Sequence, residues 1–530
     1  MISGREGSGM IQIINKRWSR YYFIIVLILV LSGFLRFFRL TNQSLWFDEG
    51  LSLFNSDAST LQATLSIIFN QNTTDKFASL YFIILFFWRH WLGDSEFVLR
   101  SLSALLGTGS VIFIFLTTLR LYGKNHAIWS SLIVAVSSFC VYYSQEVRAY
   151  SFLMFVSSVQ LFLFSKALDK NSSNIKYFKL AFGFLIALGI FSNVLMLNFT
   201  VALCLSHIII YRNHKEWLQW WSPAAVLSLP VILLYLSFPS GTDPENIPVS
   251  RQGFPLIQNA LFSLYGLLVG RTYAVPLDQL RGDNKIQVVL SYWPHLLILI
   301  VAVTAIVMAL FVTLFIYHDT SRHKRLNYLF LSLIINSFLL SLLFTIVVKI
   351  NLVERHVFYL FPPIAILIPS AFLHRYRHRT SKLSTFTSKL ARFAVIIFII
   401  LNIYSGLQYY FNEAHARDDY RTAVQYILEN RDDSAVSILL WGEPRLIKYY
   451  GDTLTLDGRK DILEKTMGVN LAEKVGKLSK NAETVFLIIN REFYWSKDGN
   501  NIREMSDLYT LKSKVKFPNF TIYRFTKNKN

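Results

Sequence analysis

Apolar residues recur along this chain in runs of about twenty, long enough for helices that cross ~30 Å of hydrocarbon. The runs lie near 21–39, 98–120, 126–143, 150–168, 179–193, 195–211, 222–238, 289–317, 327–348, 356–373 and 392–410. They predict about eleven spans. Asn193 and Asn198 interrupt the long apolar stretch around 179–211. Segment 79–92 is apolar too, but Arg89 and His90 sit in it between Trp88 and Trp91. Cations and Trp belong at headgroup level, so it reads as an interfacial helix, with 59–70 as a shorter second one. After residue 410 the pattern changes. Helical spacing over 418–429 precedes strand-like runs at 435–441, 485–489 and 520–525, with helical stretches near 443–450 and 460–479. The expected architecture is a polytopic α-helical membrane protein with a small C-terminal α/β extracytoplasmic domain. Its parts are an N-terminal tail 1–20, a membrane domain 21–410 that includes a first outer loop 40–97, and an outer domain 411–530.

Composition supports that division. Hydrophobic residues make up 53% of the 530 positions and charged residues only 16%, against a net charge of +20. Soluble chains carry roughly 25% charged residues. Disorder and a solvated nucleic-acid-binding protein are both excluded. Residues 411–530 hold 20 basic and 17 acidic residues, so most of the surplus lies in the apolar part. With the N-terminus inside, the segments 1–20, 120–126, 166–179, 212–218, 318–326 and 374–392 hold 21 basic residues against four acids, Glu6, Asp169, Glu216 and Asp319. That obeys the positive-inside rule. Reading 79–92 as a span would put this basic set outside. The first run follows Lys16, Arg17 and Arg20 with no small-residue cleavage site, as in a signal anchor. The location expected is a bacterial inner (plasma) membrane, with the C-terminal domain outside. Cys140 and Cys204 both sit in apolar runs and indicate neither a metal cluster nor a disulfide framework.

The remaining twelve acids of the membrane part fall on the outer side, so chemistry is expected there. Asp48 and Glu49 follow the first span directly, beside Trp46 and Phe47. Carboxylates this close to a bilayer point to a general base or one side of a divalent-metal site. An acid pair at a solvated helix N-terminus accounts for them equally well. A second cluster runs Tyr142-Tyr143-Ser144-Gln145-Glu146-Val147-Arg148-Ala149-Tyr150, where Glu146 and Arg148 could pair with each other. The third is Glu354-Arg355-His356 ahead of Pro362-Pro363. An Arg at this height either forks onto a phosphate or snorkels to lipid headgroups.

In order and spacing, these clusters resemble the lipid-dependent membrane glycosyltransferases of glycosyltransferase family 39, the protein O-mannosyltransferase and lipid A aminoarabinose transferase type. The matching features are Asp48-Glu49, Gly93-Asp94-Ser95-Glu96 leading into Arg100 to Gly107, Ser144 to Tyr150, and Arg355-His356-Val357. Asp418-Asp419-Tyr420-Arg421 also fits where the outer domain begins. The resemblance covers most of 20–430. It implies a C-type glycosyltransferase fold, a polyprenyl-phosphate sugar donor, a glycan, lipid or protein acceptor hydroxyl, and inversion at the anomeric carbon. Asp48 would deprotonate the acceptor, Glu49 help orient it and Glu146 line the opposite wall. Arg148 and Arg355 would hold the phosphate, with Lys76, Tyr81, Tyr150, Asn193 and His356 around the substrates. Two departures stand out. Phe77-Ala78-Ser79-Leu80-Tyr81 replaces the family's His-Pro-Pro-Leu-Tyr, and Ser192-Asn193-Val194 replaces its Thr-His-Tyr. Losing both imidazoles weighs against a bound transition metal.

Other classes share some of these features. A transporter or flippase for lipid-linked sugars would share the spans, but usually carries internal repeats and charges near the midplane. An oligosaccharide ligase would not need the early Asp-Glu pair, and a catalytically inactive assembly subunit fits the lost histidines.

Overall fold

The computed structural model describes residues 5–70, 74–168, 175–237, 256–276, 279–281, 285–316, 322–348, 352–373, 382–432, 435–451, 482–491, 505 and 509–528. The expected helix near 460–479 lies outside them. The chain forms two compact units. The first takes Met1–Phe38, Leu65–Gly93 and Val98–Phe411; the second takes Arg39–Thr64, Asp94–Phe97 and Asn412–Asn530. Parts of the first outer loop therefore pack with the C-terminal domain.

The first unit is helical. Among the described residues, six helices are long and apolar enough to cross a membrane: Glu96–Leu121, Ile175–Ser192, His214–Ser237, Trp293–Phe315, Arg322–Val348 and Thr385–Phe411. A seventh is the pair Lys124–Val136 and Ser138–Ser144, bent by 55° at Ser137. The bend has an identifiable cause. Arg36, fully buried, donates from Nη1 to the Ala135 carbonyl and from Nη2 to that of Val134, both at 3.1 Å. Ser137 Oγ then accepts from the Cys140 N–H at 3.3 Å and starts the next helix. Shorter apolar helices include Tyr21–Phe37, Tyr150–Lys166, Met196–Tyr211 and Leu256–Val269. The segment expected as a span at 356–373 is not one continuous helix. It breaks into Glu354–Leu360 (3-10), Phe361–Leu367 (α) and Ile368–Ala371 (3-10), almost wholly buried. Pro362, Pro363 and Pro369 have no N–H to donate, so each begins a new turn rather than extending one. Segment 79–92 is a helix, Ser79–Leu92.

The second unit is built on a four-stranded sheet of order β1-β2-β4-β3. Strand β1 (Val436–Trp441) runs parallel to β2 (Thr484–Asn490). Antiparallel partners follow, β4 (Phe520–Lys527) on β2 and β3 (Tyr509–Phe517) on β4. Its core includes Ile438, Val485, Leu487, Ile489, Tyr523 and Phe525. Helix Tyr420–Asn430 is capped by Asp419, which accepts from the Thr422 N–H at 3.1 Å, and the Tyr420 ring meets Phe520 edge-on at 4.5 Å.

Candidate functional site

In the first unit, the second and third sequence clusters come together. The Tyr143 hydroxyl donates to Glu354 Oε1 at 2.6 Å, and Arg271 Nε approaches the same oxygen at 2.9 Å. Arg271 also lies 5.8 Å from the Tyr142 ring centroid. Arg355 lies 5.9 Å from the ring of Tyr150, which meets Tyr143 edge-on at 5.2 Å. Glu354 is 1% exposed. Burial disfavours its charge, but Arg271 and the Tyr143 hydrogen bond outweigh this and hold the carboxyl below its ordinary value. Arg271 is likewise held above its own, with Glu354, Tyr143, Tyr142 and Glu146 outweighing burial. Glu146 is fully buried, and both it and Arg355 act electrostatically on Tyr143. Arg148 lies on the same loop; its carbonyl accepts from Ser103 Oγ at 3.4 Å, and that hydroxyl is 3.2 Å from the buried Tyr81 hydroxyl.

Arg271 is the residue that sequence reasoning missed. It follows Gly270 at the end of helix Leu256–Val269, in a stretch with no periodicity. Gly270 has φ +80°, a conformation only glycine adopts cheaply, and a Cβ there would come within 2.7 Å of Ser138 Oγ. A second close approach is at Gly107, where a Cβ would sit 2.1 Å from Ser144 Oγ. Only glycine lets helix Glu96–Leu121 come this near the Tyr142–Tyr150 loop.

Residues near the cluster in sequence line an apolar cavity of about 190 Å³. Leu264 and Leu267, on the helix Leu256–Val269 that precedes Arg271, line it with Leu360 and Ile364, which follow Glu354 and Arg355 in the chain. Ile335 and Leu339 complete the wall and are 48% and 56% exposed.

The two segments that depart from the family pattern are neighbours. The Val194 N–H donates to the Phe77 carbonyl at 3.0 Å. Lys76 is buried, 5.7 Å from the Phe77 ring, and Asn193 Oδ1 accepts from the Leu195 N–H at 2.9 Å. A phenyl ring, an amide engaged by backbone and an ammonium do not suit a transition metal. Among the described residues no three His, Cys, Asp or Glu side chains gather. His356, half-buried, donates its backbone N–H to the Val353 carbonyl at 2.9 Å.

Asp48 and Glu49 belong to the second unit, in the first turn of helix Phe47–Asn55. Glu49 is fully buried, and its Oε2 accepts from the Trp46 N–H at 3.2 Å, fixing the start of the helix. Asp48 is half-buried. The Asp418–Arg421 motif holds this unit together. Asp418 takes Arg491 on both oxygens at 3.1 Å, Tyr420 Oη accepts from the Glu443 N–H at 2.8 Å, and Arg421 pairs with Glu96.

Residues 77–239 match the family model described as dolichyl-phosphate-mannose-protein mannosyltransferase. Among solved structures, ArnT from Cupriavidus metallidurans bound to undecaprenyl phosphate superposes with TM-score 0.56 at 11% identity, over 94% of this chain and 97% of that one. The resemblance to glycosyltransferase family 39 stands, on the C-type glycosyltransferase fold. The Archaeoglobus fulgidus oligosaccharyltransferase in its apo form is similar over 89% of this chain and 70% of that one, at 13% identity and TM-score 0.50. No match is found among curated protein sequences. The chain shares that fold, and its long apolar helices make it an integral membrane protein. Its family match takes in Tyr81, Glu146, Arg148, Tyr150 and Asn193, while Arg271, Glu354 and Arg355 lie beyond it.

Proposed function

We propose that this protein moves a sugar from a polyprenyl-phosphate donor to an acceptor hydroxyl on the outer face of a bacterial inner membrane, with inversion. The observation that carries the reading is the gathering of Arg271 and Arg355 with Tyr143, Tyr150 and Glu354, on segments whose neighbouring residues line an apolar cavity. A polyprenyl phosphate has the same two-part chemistry, an anionic head on an isoprenoid tail. The related ArnT structure holds undecaprenyl phosphate, which supports this donor class.

The acceptor oxygen attacks the anomeric carbon as the bond to the phosphate oxygen breaks, and the phosphate leaves with the electron pair. Asp48 takes the acceptor proton. The donor phosphate is a monoanionic diester and gains charge on departure, so guanidinium groups stabilise the transition state more than the ground state. Arg355, Arg271 and Arg148 supply them. Glu354 anchors Arg271, and Glu146 lines the opposite wall, where a carboxylate favours the positive charge that develops on the sugar. No metal enters this scheme.

The experiment is transfer from a radiolabelled polyprenyl-phosphate sugar in reconstituted membranes, alongside lipid extraction from cells with and without the protein. Accumulation of an unused lipid-linked sugar in cells lacking the protein is expected. A lipid-linked sugar that crosses vesicle membranes without being consumed would overturn the reading in favour of a flippase.

A further inference from the structure

The Asp48 helix is gripped, along most of its length, by a part of the chain nearly four hundred residues away in sequence. Gly50 lies against the helix Pro444–Tyr450: a Cβ added there would sit 2.6 Å from Glu443 Cγ and 2.9 Å from Leu446 Cγ. The Arg445 guanidinium is 3.4 Å from the Phe54 ring centroid, a stacking distance. Glu443 is itself fixed. Its N–H donates to Tyr420 Oη at 2.8 Å, and its Oε1 accepts from the Arg445 N–H at 3.2 Å. Upstream of the Asp48 helix, the Leu45 N–H donates to Tyr450 Oη at 2.7 Å, and that hydroxyl bonds Glu96. Ser44 Oγ donates to the Asp418 carbonyl at 2.8 Å and accepts from the Tyr420 N–H at 3.0 Å.

We infer that the C-terminal α/β domain is the seat of the general base: helix Pro444–Tyr450, through Gly50 and the Arg445–Phe54 stack, positions Asp48 for proton abstraction. The inference rests on Asp48 acting as that base. Gly50, Arg445 and Phe54 are positioning residues, since they act through the helix and not on substrate. A sheet domain adds a rigid support that a loop between membrane helices lacks, and a base misplaced by 1 Å loses about 10²-fold in rate. Gly50 fits this role. A side chain there would overlap Glu443 Cγ and Leu446 Cγ, so the seam between the two helices has to open or its side chains have to move.

The test uses the full chain in reconstituted membranes, measuring kcat and KM for donor and acceptor and the pH–rate profile. Gly50→Ala and Arg445→Ala are each expected to lower kcat by tenfold or more, leave the donor KM unchanged and move the acidic limb of the profile, which reports the base. Arg445→Lys, which keeps a cation on Phe54, should recover part of the loss. Glu443→Ser, which keeps a capping oxygen but removes Cγ, should partly rescue Gly50→Ala. Hydrogen exchange over β2 and β4 separates displacement of the helix from loss of the domain. If Asp48→Asn is inactive while Gly50→Ala and Arg445→Ala keep wild-type kcat and profile, the inference is wrong and the base assignment survives. If Asp48→Asn is active, the base assignment itself fails. Loss of β2 and β4 protection in Gly50→Ala, without rescue by Glu443→Ser, would also overturn the inference, because the seam would then serve folding alone.

Discussion

The Tyr143 hydroxyl and Glu354 Oε1 are 2.6 Å apart, though 211 residues separate them in the chain. With Arg271 on the same oxygen, they close a buried ion pair. Removing one member leaves the other charged and buried, at a cost of about 3–5 kcal/mol. Glu354→Ala should therefore sharply lower the fraction of protein that remains monodisperse on heating in detergent. Tyr143→Phe, which loses one hydrogen bond to a charged group, should cost about 1.5–3 kcal/mol. The double change Glu354→Gln with Arg271→Met should recover stability but not transfer. Thermal size-exclusion profiles check the first part and the transfer assay the second.

Asp48→Asn should abolish sugar transfer while expression and folding stay intact. The amide keeps the volume but cannot accept the proton, and general base catalysis contributes ~10²–10⁴-fold. Initial rates at saturating donor measure this, and near-normal turnover would remove Asp48 from the role.

Arg355 separates donor binding from lipid anchoring. A planar fork holds two phosphate oxygens, whereas Lys offers one compact charge. Arg355→Lys should raise the donor KM severalfold, and Arg355→Ala should raise it further. If the side chain only snorkels to headgroups, Lys serves as well as Arg. Rate against donor concentration distinguishes the two outcomes.

His415 gives the second unit an acid-sensitive point. Burial lowers its imidazole from the ordinary value of 6.5 to about 4. The unfolded chain therefore takes up a proton near pH 6.5 that the folded unit refuses until near pH 4. Stability falls as pH drops through that window and levels off below it. Protection factors over Tyr420–Asn430, which correct for the intrinsic slowing of amide exchange in acid, should fall from pH 6.5 toward 4, and His415→Gln should flatten the trend.

The basic residues of the loops predict an N-terminus inside and a C-terminal domain outside. A reporter fused after Asn530 should be active only on the outer side of the membrane. Activity in the cytoplasm would reverse the topology and remove the outer-face chemistry with it.

Much of the fold could be read from the sequence because membrane helices and buried strands are written in local hydrophobicity. The runs at 98–120, 327–348 and 392–410 fall within long apolar helices, and those at 435–441, 485–489 and 520–525 coincide with β1, β2 and β4. Strand β3 was illegible. Lys512, Lys514 and Lys516 make it polar, as an edge strand is, and its place comes only from pairing with β4. The expected span at 356–373 had the right composition, but its prolines break the helix, and the tertiary structure buries the pieces. Of the candidate site, Asp48, Glu146, Arg148 and Arg355 could be singled out because charges beside apolar runs are conspicuous. Arg271 could not. Its position in an aperiodic stretch carries no signal until Glu354 and Tyr143 are brought to it, and an ion pair between distant segments exists only once the chain has closed around it. The attachment of the Asp48 helix to Pro444–Tyr450 has the same character, since it depends on the shape of a glycine gap and the face of one phenyl ring. Hydrophobic period is a property of neighbours in sequence; this packing is a property of neighbours in space.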